Sequence, residues 1–147
     1  MNTKLSPVDH TPSAHKANGF IELTGTLYRP DGKASRKLKA QSLREVTFSK
    51  MAITGRGKDG PDDWYHITLS SNSEFKLNKN KFDANTMRSQ LDIKLEKEGI
   101  TISALATKGY INITEISNLI IMGNYHLTYD EGTGTIHTIS GTFRITP

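Results

Sequence analysis

Residues 119–146 read LIIMGNYHLTYDEGTGTIHTISGTFRIT, and this stretch decides the fold. Leu119, Ile121, Gly123, Tyr125, Leu127 and Tyr129 share one alternating face; Ile139, Gly141, Phe143 and Ile145 share another. A period of two marks a half-buried strand. Residues 130–134, Asp-Glu-Gly-Thr-Gly, supply the hairpin loop between the two runs. The apolar positions are all odd-numbered, so the two faces agree only if opposed residues sum to an even number. That register buries Tyr125, Leu127, Tyr129, Ile139, Phe143 and Ile145, and turns His126, Thr128, Thr138 and Arg144 outward. It also sends His126 and His137 to opposite faces, which argues against a metal pinched between them.

The same alternation extends backward along the chain. Leu91, Ile93 and Leu95 precede a turn at Glu98-Gly99, and Ile100, Ile102, Ala104 and Ala106 follow it. A second turn is predicted at Lys108-Gly109, leading to Ile111 and Ile113 and completing a three-stranded meander. Further upstream, Ile21, Leu23, Gly25 and Leu27 alternate, and Pro30-Asp31-Gly32 makes a turn. Residues 33–41 are basic and read as a loop or an exposed strand. Residues 43–54 read as one strand whose apolar phase slips between Phe48 and Met51, which predicts a bulge near Ser49-Lys50. Residues 55–63 (GRGKDGPDD) read as a glycine-rich loop, and Tyr65, Ile67 and Leu69 mark the next strand. Phe75 and Leu77 suggest a short strand. Residues 83–90 are the one helical candidate, with Asp83 as its N-cap.

Eight to ten short strands with regular turns predict an all-β single domain, an antiparallel barrel or sandwich. Glycines within strands (Gly25, Gly123, Gly141) favour the barrel. The segments Leu23-Thr24-Gly25-Thr26-Leu27 and Ile139-Ser140-Gly141-Thr142-Phe143-Arg144-Ile145 resemble strands of up-and-down barrels such as the lipocalin-like and avidin-like proteins. That resemblance implies an up-and-down topology. The Gly-x-Trp signature of the first strand in those folds is absent, since the only tryptophan is Trp64, and no functional residue is carried over. Residues 1–17, rich in Ser, Thr, Pro, His and Lys, are expected to form a disordered or loosely docked arm, leaving 18–147 as the domain.

Composition narrows the function classes. The chain has 147 residues, 35% hydrophobic, with a net charge of +4 and no cysteine. A disulfide scaffold, a thiolate metal site and a cysteine nucleophile are therefore excluded. No run approaches the roughly 18 apolar residues of a membrane span. A cytoplasmic setting is expected, with export lacking a cleaved signal as the alternative. Residues 1–60 carry 11 Lys and Arg against 5 Asp and Glu, concentrated at Lys33, Arg36, Lys37, Lys39 and Arg44. This basic patch lacks interleaved aromatics, so nucleic acid is the less favoured partner. The glycines of residues 55–60 are followed by Pro61 and a strand rather than a helix N-terminus, so no phosphate cradle is expected there.

Polar residues on apolar faces are the stronger lead. Tyr125 and Tyr129 carry hydroxyls on the buried side, His137 continues the Ile139 series, and Glu115 continues the Ile111, Ile113 series. Trp64 begins the densest aromatic cluster, Trp64-Tyr65-His66. The favoured expectation is a non-enzymatic binding module. It takes a small apolar or amphipathic ligand in a barrel mouth lined by Trp64, Glu115, Tyr125, Tyr129 and His137, or a protein partner on a sheet face, with homo-oligomerisation as a further possibility. No cofactor and no metal site are expected. The alternatives are an isomerase- or cyclase-type barrel using Glu115 and His137 as an acid–base pair, and a nucleic-acid-binding barrel.

Overall fold

His137 pairs with Tyr129, Ile139 with Leu127 and Phe143 with Gly123, the even-sum register that the alternation requires. The computed structural model describes residues 15–28, 35–132 and 135–147, and only the backbone of His15, Ser35, Arg36 and Lys39. Ten strands are formed among them: β1 (His15–Tyr28), β2 (Ser35–Leu43), β3 (Glu45–Phe48), β4 (Ala52–Asp59), β5 (Asp63–Ser71), β6 (Asn78–Lys81), β7 (Met87–Leu95), β8 (Ile100–Ile116), β9 (Ile121–Asp130) and β10 (Ile136–Thr146). The order β10-β9-β8-β7-β5-β4-β3-β1 is antiparallel throughout, and β1 pairs back onto β10 from Asn18↔Thr146 to Thr26↔Thr138. Eight strands thus close an up-and-down barrel, while β2 adds to β1 and β6 to β8.

Closure leaves one face of every strand inside, which is why the alternation is so regular. Ile21, Leu23, Ile53, Ile67, Leu69, Leu91, Ile93, Ile113, Leu127, Tyr129, Ile139 and Ile145 are all inaccessible to solvent. At about 25 cal/mol per Å² of apolar surface, this shared interior is the main force holding the barrel shut. The closing seam has a specific device. Gly141 is the partner of Tyr125, and a Cβ at residue 141 would lie 1.8 Å from the Glu22 carbonyl oxygen. The missing side chain lets that carbonyl approach, and the Tyr125 hydroxyl donates to it at 2.8 Å.

Several local expectations are corrected. The chain does not turn at Lys108-Gly109. β8 runs unbroken past it with a bulge between Ala106 and Lys108, and Gly109 (φ 122) bends the strand instead. There is no helix at residues 83–90. Asp83 caps a single turn, its Oδ1 accepting from Asn85 N at 2.9 Å and its carbonyl from Met87 N at 2.7 Å. The period-two pattern of Ser89, Leu91, Ile93 and Leu95 then takes over as β7. Residues 49–51 are a turn between β3 and β4 rather than a bulge in one strand, and Ser49 Oγ accepts from Met51 N at 3.1 Å. Residues 55–59 belong to β4, so the hairpin tip is confined to 60–62. The strand near Phe75 lies at Asn78–Lys81 instead, with Leu77 54% exposed, and Leu119, 74% exposed, precedes β9 rather than joining it. The residues assigned to an arm begin pairing at His15↔Phe48; residues 1–14 and the turn at Pro30-Asp31-Gly32 lie outside the described residues.

One irregularity opens the outer wall beside β4. β3 bridges β1 and β4, but its pairing with β4 ends at Glu45↔Arg56. Beyond that point β2 hydrogen-bonds to β1 alone among the described strands, and residues 57–59 of β4 to β5 alone. The sheet is split between β2 and the lower part of β4.

Candidate functional site

The residues expected to line a barrel mouth are not brought together. Tyr125, Tyr129 and His137 point inward as the alternation requires, but all three are buried and already engaged. The Ser89 hydroxyl donates to the Thr68 carbonyl at 2.6 Å and so accepts from the Tyr129 hydroxyl at 2.7 Å. Burial pushes the Tyr129 hydroxyl well above the ordinary phenol range, against the opposing effect of its Ser89 bond. Burial, then the neighbouring Tyr129 and Glu22, push Tyr125 up as well. His137 is 0% exposed; its Nδ1 accepts from Tyr28 N at 3.1 Å, so Nε2 carries the proton toward Glu131 Oε2 at 2.8 Å. Polar groups inside a protein must be paired, and these are paired within the chain.

Glu115 does not join them. A bulge between Ile113 and Glu115 turns its side chain out to solvent. It lies opposite Met122 on β9, whereas His137 lies opposite Tyr129, seven residues along the same strand. At about 3.3 Å per residue that is roughly 23 Å, too far for one substrate to span. The acid–base pair expected from sequence is thus not assembled, because the two residues mark opposite ends of the barrel. In the basic patch, Lys37 and Arg44 are exposed, and the Arg44 guanidinium sits 6.0 Å from the Phe20 ring centre. The side chains of Arg36 and Lys39 lie outside the described residues, as does residue 33.

Trp64 lies at a cleft on the outer wall. It is 38% exposed, on the outer side of β5, while Tyr65 beside it is buried. Its row across the sheet is Lys58–Trp64–Lys94, and the next row is Glu45–Arg56–His66–Asp92. A cleft of about 350 Å³ opens here, at the split, lined by Glu45, Arg56, Gly57, Lys58, Trp64 and Tyr65. Gly55 and Gly57 point their missing side chains inward, where a Cβ would come within 3.0 Å of Ile21 or Leu43. Arg56 and Lys58 are thereby held outward.

The neighbouring Lys94 has a carboxylate partner, whereas among the described residues Arg56 and Lys58 have none. Lys94 meets Glu96 at 3.4 Å and His66 meets Asp92 at 3.8 Å. Among the described residues, no hydrogen bond or ion pair ties the Arg56 guanidinium or the Lys58 ammonium, even though Glu45 stands opposite Arg56. Partial burial holds the His66 imidazole below its ordinary value of 6.5; Asp92 pulls it up and Arg56 pushes it down. The folded state therefore binds the His66 proton less readily than the unfolded chain, so this group removes stability as pH falls through 6.5. An NMR titration is expected to place the His66 midpoint below 6.5, with Asp92→Asn lowering it further and Arg56→Gln raising it. A midpoint that rose in Asp92→Asn or fell in Arg56→Gln would show that the row is not electrostatically continuous.

A larger hollow, about 480 Å³, lies at the other end of the barrel among Met51, Ala52, Ser70, Asn72, Ala84 and Met87. Arg88 is its only charged lining residue, and its guanidinium bonds Gln90 at 3.3 Å. Among the described residues, no group of three or more His, Asp or Glu is placed to hold a metal ion, and no helix is long and apolar enough to cross a membrane.

Fold and site together define a closed antiparallel β-barrel with a buried apolar core and, on its outer wall, a cleft that Trp64, Arg56 and Lys58 line. No family model, curated protein or solved structure matches the chain.

Proposed function

We propose that the protein is a non-catalytic binding module that takes its ligand on the outer wall beside Trp64, not inside the barrel. One contrast carries the reading. The inward polar groups Tyr125, Tyr129 and His137 have partners within the chain, whereas Arg56 and Lys58 have none among the described residues and stand at the rim of a cleft with an exposed indole. Unsatisfied recognition groups in a concavity are what a binding site needs, and satisfied buried ones are what a core needs. The cytoplasm is the setting we propose, because a cysteine-free chain suits a reducing compartment.

The test is a small-molecule fragment screen read by amide and methyl NMR. Bound fragments are expected to move the amides of residues 56–58 and 64–66 and to leave the methyl groups of Leu127 and Ile139 in place. Saturable shifts at those inward methyls would return the ligand to the interior and overturn the proposal.

A further inference from the structure

Resting on the outer-wall reading, we infer that the cleft at Arg56, Lys58 and Trp64 recognises a small planar ring carrying one phosphate, the chemistry of a nucleoside monophosphate.

Three observations lead there. The first is the exposed indole: a tryptophan held at a cleft wall offers a stacking face to any flat heteroaromatic ring. The second is the placement of the free cations. Lys58 lies directly across from Trp64, about 5 Å away between backbones, and Arg56 lies two residues along the same strand, about 7 Å from Lys58. A phosphate tethered to a ring on Trp64 falls between them. The guanidinium fork grips two of its oxygens and the ammonium a third.

The third observation limits the ligand to one anionic group. Carboxylates bound the cationic ground except toward β2, where Lys37 is exposed across the split. Glu45 stands opposite Arg56 in the cleft wall, Asp59, Asp62 and Asp63 lie in or beside the hairpin tip next to Trp64, and on the far flank Glu96 meets Lys94 and Asp92 lies beside His66. A nucleic-acid strand, which needs a cationic track for successive phosphates, would run onto these carboxylates. A single phosphate attached to a single ring does not. The cleft volume of about 350 Å³ suits a ligand of that size.

Trp64 is the only tryptophan, so the emission of the whole protein reports on this cleft. Adenosine monophosphate, adenosine, inorganic phosphate and an oligoadenylate are titrated against the full chain. The expected result is a saturable change in emission with the monophosphate, with affinity about tenfold weaker for adenosine. The double variant Arg56→Gln, Lys58→Gln should erase that difference while leaving the urea unfolding midpoint unchanged. Trp64→Ala, followed by calorimetry, should abolish binding. Bound phosphate should also raise the His66 NMR midpoint by neutralising Arg56. Equal affinities for adenosine and its monophosphate, or no saturable response, would overturn the inference. So would an oligoadenylate binding more than tenfold tighter than the monophosphate, which would make the cleft part of a strand-binding surface. If nucleotides fail while fragments still map to residues 56–58 and 64–66, only this inference falls. If fragments map to the interior, the outer-wall reading falls with it.

Discussion

Phe143→Ala is expected to cost about 3–5 kcal/mol in urea unfolding, the range for removing a buried aromatic and leaving a cavity. Phe143 is buried at the closing seam, opposite Gly123 on β9 and Ile21 on β1. Gly123 has no side chain to expand into the space, so the walls have little means of refilling it. Thr142, its neighbour, points outward opposite Asn124, and Thr142→Ala should stay within about 0.5 kcal/mol. Equal costs would mean that β10 is offset by one residue and that its two faces have been exchanged.

Gly141→Ala is expected to destabilise by about 3 kcal/mol or more, although it adds only one methyl group. The new Cβ would meet the Glu22 carbonyl oxygen at 1.8 Å, and that atom is backbone, held by the Tyr125 hydroxyl. Relief requires β1 to move away from β10, which opens the barrel at its seam and costs more than repacking a flexible side chain. Tyr125→Phe deletes only the hydrogen bond, about 1 kcal/mol, and is the comparison variant. Thermal or urea unfolding that ranked Tyr125→Phe as the more damaging of the two would show that the seam has slack.

What could be read from the sequence follows from where the information is stored. The final hairpin was legible because its apolar side chains repeat at every second position and admit one register. Lys108-Gly109 misled because the same dipeptide serves a turn or a bulge, and only the neighbouring strand β9 decides between them. Asp83 misled because a capping side chain stabilises one turn as well as it starts a helix. In the site, Trp64 stands out in the sequence only as part of the densest aromatic cluster, not as an outer-wall residue, and Arg56 and Lys58 do not stand out. Their strand faces the core with Gly55 and Gly57, which leave no apolar alternation to detect. The alternation turns Tyr125 and Tyr129 inward, as observed, but their pairing and that of His137 were invisible. Glu22 is 103 residues from Tyr125, Ser89 is 40 from Tyr129, and Tyr28 is 109 from His137. Partners that distant are set by topology, not by local pattern.

The split beside β2 has a consequence for how these molecules behave in a crowd. A strand bonded on one side only is a template on which an identical strand can add, the first step toward fibres. β2 carries Arg36, Lys37 and Lys39 within four positions, so two such strands brought together would repel one another. On charge alone such a segment would hold copies apart, over a range set by the ionic atmosphere. That range shrinks from about 10 Å at 0.1 M salt to about 3 Å at 1 M. Concentrated stocks should therefore keep best in dilute buffer, and turbidity on storage should rise with added sodium chloride.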